Sequence, residues 1–265
     1  MSDEPLVLTE ADHGVMTIRL NRPQALNALT HPMRDAFLSA LGQADRDPQV
    51  RCVLLTGAGR AFSVGQDVRE MQDMYAERGP HLGELVTDQY NPMVSALFEM
   101  PKPVIALVNG PAAGGGLSLA LACDVRIITD QTTFIPAFVK VGLAPDTGAS
   151  YLLPRMLGWS RALALSISGQ SVGPDQAMDW GLAHYRFATL EEATTKALEL
   201  AHEFAKGPTR AMAEIRQLLL QSQTLSWDQA LSLEAKVQDA LGRGDDHQEA
   251  VRAFVERRTP NFHGQ

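Results

Sequence analysis

Three features of the sequence point to an α/β protein. Short apolar runs end on glycine, as in Val50 to Thr56 (VRCVLLT) before Gly57 and in PVIALVNG at 103–110; unbroken apolarity over that length is the pattern of a strand covered on both faces. Each run is followed by a loop and then a helical pattern, so strands and helices alternate. Beyond Gly207 and Pro208 the pattern is helical only, which marks a docking or oligomerisation element appended to the α/β part.

Taken in order, GVMTIRLNRP alternates and breaks at Asn21 to Pro23, a strand followed by a turn. A helix is expected from Thr30, its N-cap, to Ala44. After the Val50–Thr56 strand comes the loop GAGRAFSVGQD, with Asp67 able to cap a helix, and 71–83 reads as loop. Leu82 to Met100 is mainly helical, with Pro92 bending, starting or interrupting it. Strand, loop and helix recur in PVIALVNG, PAAGGG and LSLALACD; VRIIT and TTFIP read as further strands, and VGLAPDTGAS as loop. From Ser150 the pattern is helical, broken by Gly158, Gly169 and Gly173, with a short strand at Ala183 to Phe187. Three amphipathic helices follow, Arg210–Ser222, Ser226–Leu241 and Asp245–Glu256, and the boundary between core and helical region falls near 205, giving parts 1–205 and 206–265. Trp159, Trp180 and Trp227 read as packing residues.

Composition narrows the function classes. The 265 residues are 45% hydrophobic and 20% charged, ample for a real core. A net charge of -8 leaves no broad basic field for nucleic acid. An anionic ligand would need a few of Arg22, Arg60, Lys102, Lys140, Arg257 and Arg258 to cluster. No window is apolar enough for a membrane span and the start is acidic, so the expected location is the cytoplasm. Cys52 and Cys123 lie in apolar runs and read as buried thiols. No metal is expected, since the seven histidines form no HExxH or clustered His/Asp set. The Lys-Ser/Thr pair of a phosphate loop, the third glycine of a dinucleotide fingerprint and a complete nucleophile elbow around Ser118 are all missing.

Two loops carry the chemistry that remains. Gly114 to Gly116 follow a strand and open a helix, so the backbone can approach a ligand closely and present unpaired N–H groups. The loop Ala61 to Asp67 (AFSVGQD), with a turn at Gly65, can supply a second donor. Two donors converging on one oxygen would stabilise an enolate or tetrahedral oxyanion, each by about 3 kcal/mol in the transition state. From periodicity alone, tight turns that serve helix packing account for the same residues.

NRPQALNAL at 21–29, AFSVGQD at 61–67, PKPVIALVNGPAAGGGLSLALACD at 101–124 and FVERRTPNF at 254–262 together resemble the crotonase (enoyl-CoA hydratase/isomerase) superfamily over nearly the whole chain. The resemblance implies a spiral of ββα repeats with a helical C-terminal trimerisation region, a homotrimer or dimer of trimers, and a coenzyme A thioester as substrate. Beyond the coenzyme A of the substrate it implies no cofactor. The thioester carbonyl would lie between the N–H groups of Gln66 and Gly115, beside Gly114, and adenine would meet the backbone near Ala25, Leu26 and Gly65.

Adding water across a double bond calls for one group to activate water and another to deliver a proton, and hydratases of this family use two glutamates. Here those positions hold Ser118 and Phe138. Asp146, in GLAPDTGAS, matches an aspartate that isomerases of the family place near the acyl chain, and one carboxylate suffices for a 1,3-proton shift. Phe138, Leu143 and Pro145 would wall it in and raise its pKa. Asp before Thr-Gly is also a common turn or cap residue. Three further readings stay open: an aryl-halide dehalogenase of the same family with Asp146 as nucleophile, a hydratase-like enzyme, and an acyl-CoA-binding protein without turnover. Ser118 would face the acyl pocket or cap locally, and Arg257 or Arg258 could reach a coenzyme A phosphate.

Overall fold

The structure, a computed structural model, describes residues 4–79 and 81–265. Its main sheet comprises β1 (Val7–Asp12), β2 (Val15–Leu20), β3 (Cys52–Gly57), β4 (Val104–Val108), β6 (Val125–Thr129) and β8 (Tyr185–Phe187), in the order β1-β2-β3-β4-β6-β8. Only β1 and β2 pair antiparallel; the other neighbours are parallel. A second, two-stranded parallel sheet joins β5 (Ala112–Ala113) to β7 (Phe134–Ile135).

Twelve α-helices are present among the described residues: α1 (His31–Arg46), α2 (Val68–Arg78), α3 (Leu82–Leu85), α4 (Asn91–Phe98), α5 (Gly115–Ala122), α6 (Ala149–Leu157), α7 (Trp159–Ser168), α8 (Pro174–Asp179), α9 (Leu190–Ala205), α10 (Thr209–Ser222), α11 (Trp227–Gly242) and α12 (Asp245–Glu256). Every residue of β3 and β4 is buried, as continuous apolar runs require of a sheet covered on both faces. The two-residue period sorts them: Cys52, Leu54, Ile105 and Leu107 face α9, while Val53, Leu55, Val104, Ala106 and Val108 join the larger core. On α9, Ala193, Ala197 and Ala201 recur every four residues, forming a smooth buried stripe that lets the helix lie close on the sheet. Both cysteines are free and buried, and burial pushes the Cys123 thiol up to about 12.

Several boundaries depart from the sequence reading. The first strand, β1, is absent from that reading because it is a nearly exposed edge without alternation. The segment read as loop over 71–83 is helical through Arg78, because Asp67 caps it: its carboxylate accepts from the Arg69 and Glu70 N–H groups. Pro80, in that segment, lies outside the described residues. The helix expected over 82–100 is interrupted by a π turn at Val86–Tyr90, and Pro92 follows it directly in the first turn of α4, where a proline lacks the N–H that the helical path would use. Of the tryptophans only Trp180 packs against the core; Trp159 and Trp227 are exposed.

Arg216 of α10 fastens the helical region to the sheet. Its guanidinium binds both carboxylate oxygens of Asp124, Nε at 2.7 Å, and caps the carbonyls of Met100 and Lys102. Arg216→Met leaves Asp124 with only the Val104 N–H, and it is expected to lower stability by about 2 kcal/mol, between the exposed and fully buried limits. A urea midpoint at the wild-type value would show that α10 is held by other contacts.

Candidate functional site

The loops at 57–67 and 109–115 leave the C-terminal ends of β3 and β4 side by side, and buried polar side chains stitch them together. Asn109 accepts from the Gly57 N–H and donates to the Gly59 and Ala61 carbonyls. Asn27 donates to Ala58 and Ala61. Ser63 is the knot between the loops: its hydroxyl donates to the Asn27 carbonyl and accepts from the Gly65 N–H, while its carbonyl accepts from the Ala113 N–H.

Two glycines make this approach possible. Gly114 has φ 51 and ψ -122, a conformation closed to most L residues. A Cβ on Gly116 would stand 2.2 Å from the Ser63 carbonyl oxygen, so only glycine lets α5 start against that loop.

Two backbone donors are left over. Leu29 donates to the Gly65 carbonyl and accepts from the Asp67 N–H, so the Gln66 N–H between them turns the other way. Gly115 opens α5, where the first N–H groups have no intrahelical acceptor. Neither the Gln66 nor the Gly115 N–H finds a protein acceptor among the described residues. Both residues line one cavity of about 580 Å³, with Gly114, Tyr90, Phe138 and Asp146. The remaining wall is largely apolar, including Val68, Met71, Leu85, Val141 and Leu143.

Asp146 is the single carboxylate among the described residues that line this cavity. Burial raises its pKa above the ordinary 3.8, and a 2.8 Å hydrogen bond from the Thr147 hydroxyl opposes the rise without cancelling it. Asp67 moves the other way: burial favours its neutral form, but the Arg22 guanidinium at 2.9 Å and two backbone N–H groups outweigh burial and hold its carboxyl below the usual range.

A family model described as "Enoyl-CoA hydratase/isomerase" matches residues 10–265. The chain belongs to the enoyl-CoA hydratase/isomerase family. The match is consistent along its length: the 1,2-epoxyphenylacetyl-CoA isomerase of Escherichia coli (strain K12) is 40% identical, with 97% of this chain and 98% of that protein covered. A Rhodobacter capsulatus protein named "Probable enoyl-CoA hydratase" is 36% identical over 96% of each chain. A crystal structure from Mycobacterium abscessus, named for the same hydratase/isomerase class, superposes with a TM-score of 0.94 at 37% identity, covering 98% of this chain and 100% of that one. The fold is therefore the crotonase one, α/β with a helical C-terminal region, in a family that acts on acyl-CoA thioesters. No described helix is long and apolar enough to cross a membrane.

Against this family background the structure brings Gln66, Gly114, Gly115, Phe138 and Asp146 to one cavity, with Gly65 directly behind: a Cβ there would meet the Gly115 nitrogen at 3.0 Å. Leu26, in a left-handed conformation after the Pro23–Ala25 turn, accepts from the Val64 N–H, which sets Ala25 and Leu26 beside the Gly65 loop. Ser118 does not line the cavity. It is fully buried, and its hydroxyl reaches the carbonyls of Gly114 and Asp146 at 3.4 and 3.3 Å, so it joins two loops that do. Of the cations that an anionic ligand would need to find clustered, three are engaged elsewhere: Lys102 is buried on the carbonyls of Ala44, Asp45 and Asp47, Arg22 pairs with Asp67, and Arg258 pairs with Glu249 and Glu256. The fold also assembles a His/Asp set that the sequence does not reveal, Asp12, His13 and His202, whose ligand atoms lie within 4.8 Å of one another. These groups are bonded to each other at the surface and share no residue with the cavity.

Arg34 escapes the sequence reading. It is 2% exposed and reaches Leu29, Gln66, Glu70 and Gln89. The available signal is its place on α1: with Phe37 and Leu41 it shares the helix's apolar stripe, where an arginine requires partners.

Proposed function

We propose that this protein is an acyl-CoA isomerase that moves a double bond, or opens a ring epoxide, through a thioester enolate. The observation that carries the reading is that, among the described residues, one carboxylate lines a cavity that also holds two unpaired backbone N–H groups. The thioester oxygen would sit between the N–H groups of Gln66 and Gly115. With a 3-enoyl thioester, the Asp146 carboxylate takes a proton from C2 and the bonding pair delocalises into a dienolate whose oxygen is held by the two donors. The protonated Asp146 then returns the proton at C4, the double bond settles between C2 and C3, and the carboxylate is regenerated. No cofactor or metal enters the balance, since coenzyme A arrives as part of the substrate.

Hydration would need a second acid–base group, and no second carboxylate lines the cavity among the described residues. Phe138 and the aliphatic wall suit an apolar or aromatic acyl group, in phenylacetate or fatty-acid breakdown. Coenzyme A would pass the Ala25–Leu26 and Gly65 backbone. The helical region at 206–265, whose Trp227, Phe254 and Val255 are exposed, would form a homotrimer or dimer of trimers in the cytoplasm.

A pH–rate profile tests the assignment. The base must be ionised, and burial raises its pKa, so the acid limb of kcat/KM is expected above the ordinary aspartate value of 3.8, with the rate lost as pH falls through it. An acid limb below that value, or one that persists in Asp146→Asn, would exclude Asp146 as the base.

A further inference from the structure

The two proposed oxyanion donors sit on separate loops, and one side chain reaches both residues that carry them. Tyr90 is 4% exposed and projects from the π turn Val86–Tyr90, a geometry that re-aims one residue within an otherwise helical run. Its hydroxyl donates to Gln66 Oε1 at 2.7 Å. Its ring closes on the other loop, where a Cβ built on Gly115 would stand 2.9 Å from Tyr90 Cε1. Tyr90 thus touches both donor-bearing residues at once.

The far side of this contact is fixed by Arg34. Its Nη1 donates to Gln66 Oε1 at 3.0 Å and to Glu70 Oε2 at 2.9 Å, and its guanidinium lies 5.2 Å from the Tyr90 ring centre. Gln66 Nε2 in turn donates to Glu70 Oε2 and to the Asp67 carbonyl. The Gln66 amide therefore has donors on its oxygen and acceptors on its nitrogen, and this saturation prevents it from turning into the cavity. What remains of Gln66 for a ligand is its backbone N–H.

We propose that Tyr90 is a positioning residue that sets the spacing of the Gln66 and Gly115 N–H groups, acting as a wedge whose ring bears on Gly115 and whose hydroxyl is tied to the Arg34-anchored Gln66 amide. The inference rests on the oxyanion reading of the site. It separates the roles of ring and hydroxyl: the ring sets the gap, and the hydroxyl holds Gln66 against it.

The test uses the full-length protein, a small panel of 3-enoyl-CoA substrates and a saturated acyl-CoA carrying a ¹³C carbonyl, whose infrared stretch reports polarisation by the two donors. Tyr90→Phe keeps the ring and is expected to lower kcat about fivefold, the scale of one neutral hydrogen bond, and to reduce the carbonyl shift partly. Tyr90→Leu removes the wedge and is expected to lower kcat about 100-fold and abolish most of the shift, the scale of one lost oxyanion donor. KM is expected to stay within about threefold in both, because coenzyme A contacts are untouched. A merely structural role would lower the melting temperature while leaving the carbonyl frequency of the folded fraction unchanged, and that result overturns the proposal. So does wild-type kcat in Tyr90→Leu. A wild-type protein that binds the thioester with no carbonyl shift and no turnover overturns the oxyanion reading itself, and the inference with it.

Discussion

Asp146→Asn is expected to lower kcat on a 3-enoyl-CoA at least about 100-fold, the usual contribution of a positioned acid–base group, while leaving acyl-CoA binding nearly intact. The fold should not suffer. The Thr147 hydroxyl donates to Asp146 Oδ1, and an asparagine oxygen accepts the same bond. Linkage gives a sign as well. The folded state raises the Asp146 pKa through burial, so it holds that proton more tightly than the unfolded chain does. The stability associated with the group is complete below the unfolded pKa and declines as pH rises through the folded one. At neutral pH the carboxylate is therefore a net cost to the fold, and the asparagine variant should melt at or above the wild-type temperature. In acid, where Asp146 is protonated in both states, that advantage should disappear. Lost activity with lowered stability at pH 7 would instead mark Asp146 as a structural turn residue. This pairing of functional loss with stability gain is the expected signature of a group held in an unfavourable environment for its chemistry.

The second large effect is expected at Gly116→Ala. The added methyl meets the Ser63 carbonyl oxygen at 2.2 Å and its carbon at 2.8 Å, both backbone atoms that cannot swing away. Ser63 is also tied to Asn27, Gly65 and Ala113, so relief would have to separate the two loops that carry the unpaired N–H groups. Overpacking of this kind should cost about 3 kcal/mol, read as a lower denaturant midpoint at unchanged slope. Gly242→Ala is the matched control. It ends α11 with nothing within 4 Å of a new Cβ, and helix propensity should leave stability unchanged or raised by up to about 1 kcal/mol. Equal effects at the two positions would contradict a packing role for Gly116.

The parts of the fold that were legible are those where local pattern and tertiary environment agree. β3 and β4 announce themselves as unbroken apolar runs because both faces are buried. α12 occupies the expected Asp245–Glu256, led by two acidic residues and a preceding glycine. Gly158 and Gly169 end α6 and α7 with positive φ. β1 gave no signal because an exposed edge strand needs no apolar face. The length of α2 stayed hidden because it buries almost nothing, and its start depends on Asp67 meeting backbone N–H groups that only the folded loop presents.

The candidate site divides in the same way. The glycines were legible, since few residues can follow a strand so tightly and open a helix at once. Asp146 was legible through the family resemblance, whereas its burial emerges only when the aliphatic wall from α2, α3 and the 137–144 segment closes around it. Of the two places read for Ser118, the structure shows the local one, its hydroxyl reaching the Gly114 carbonyl four positions back; a short helix buried on all sides has no polar face from which to choose between them. The contacts of Arg34 and Tyr90 are not legible because their partners are far away in sequence: Arg34 reaches Gln66 and Gln89, 32 and 55 positions later, and Tyr90 reaches back 24 positions to Gln66.

One-carboxylate isomerisation leaves the mass of the thioester unchanged, so product analysis by mass and proton NMR separates it from hydration. Purified protein is incubated with a 3-enoyl-CoA and, separately, with the matching 2-enoyl-CoA, alongside Asp146→Asn. The 3-enoyl thioester is expected to become the 2-enoyl isomer at unchanged mass, neither substrate is expected to gain water, and the variant is expected to lose the conversion. Rapid formation of a 3-hydroxyacyl-CoA, one water heavier and undiminished in the variant, would contradict one-carboxylate isomerisation.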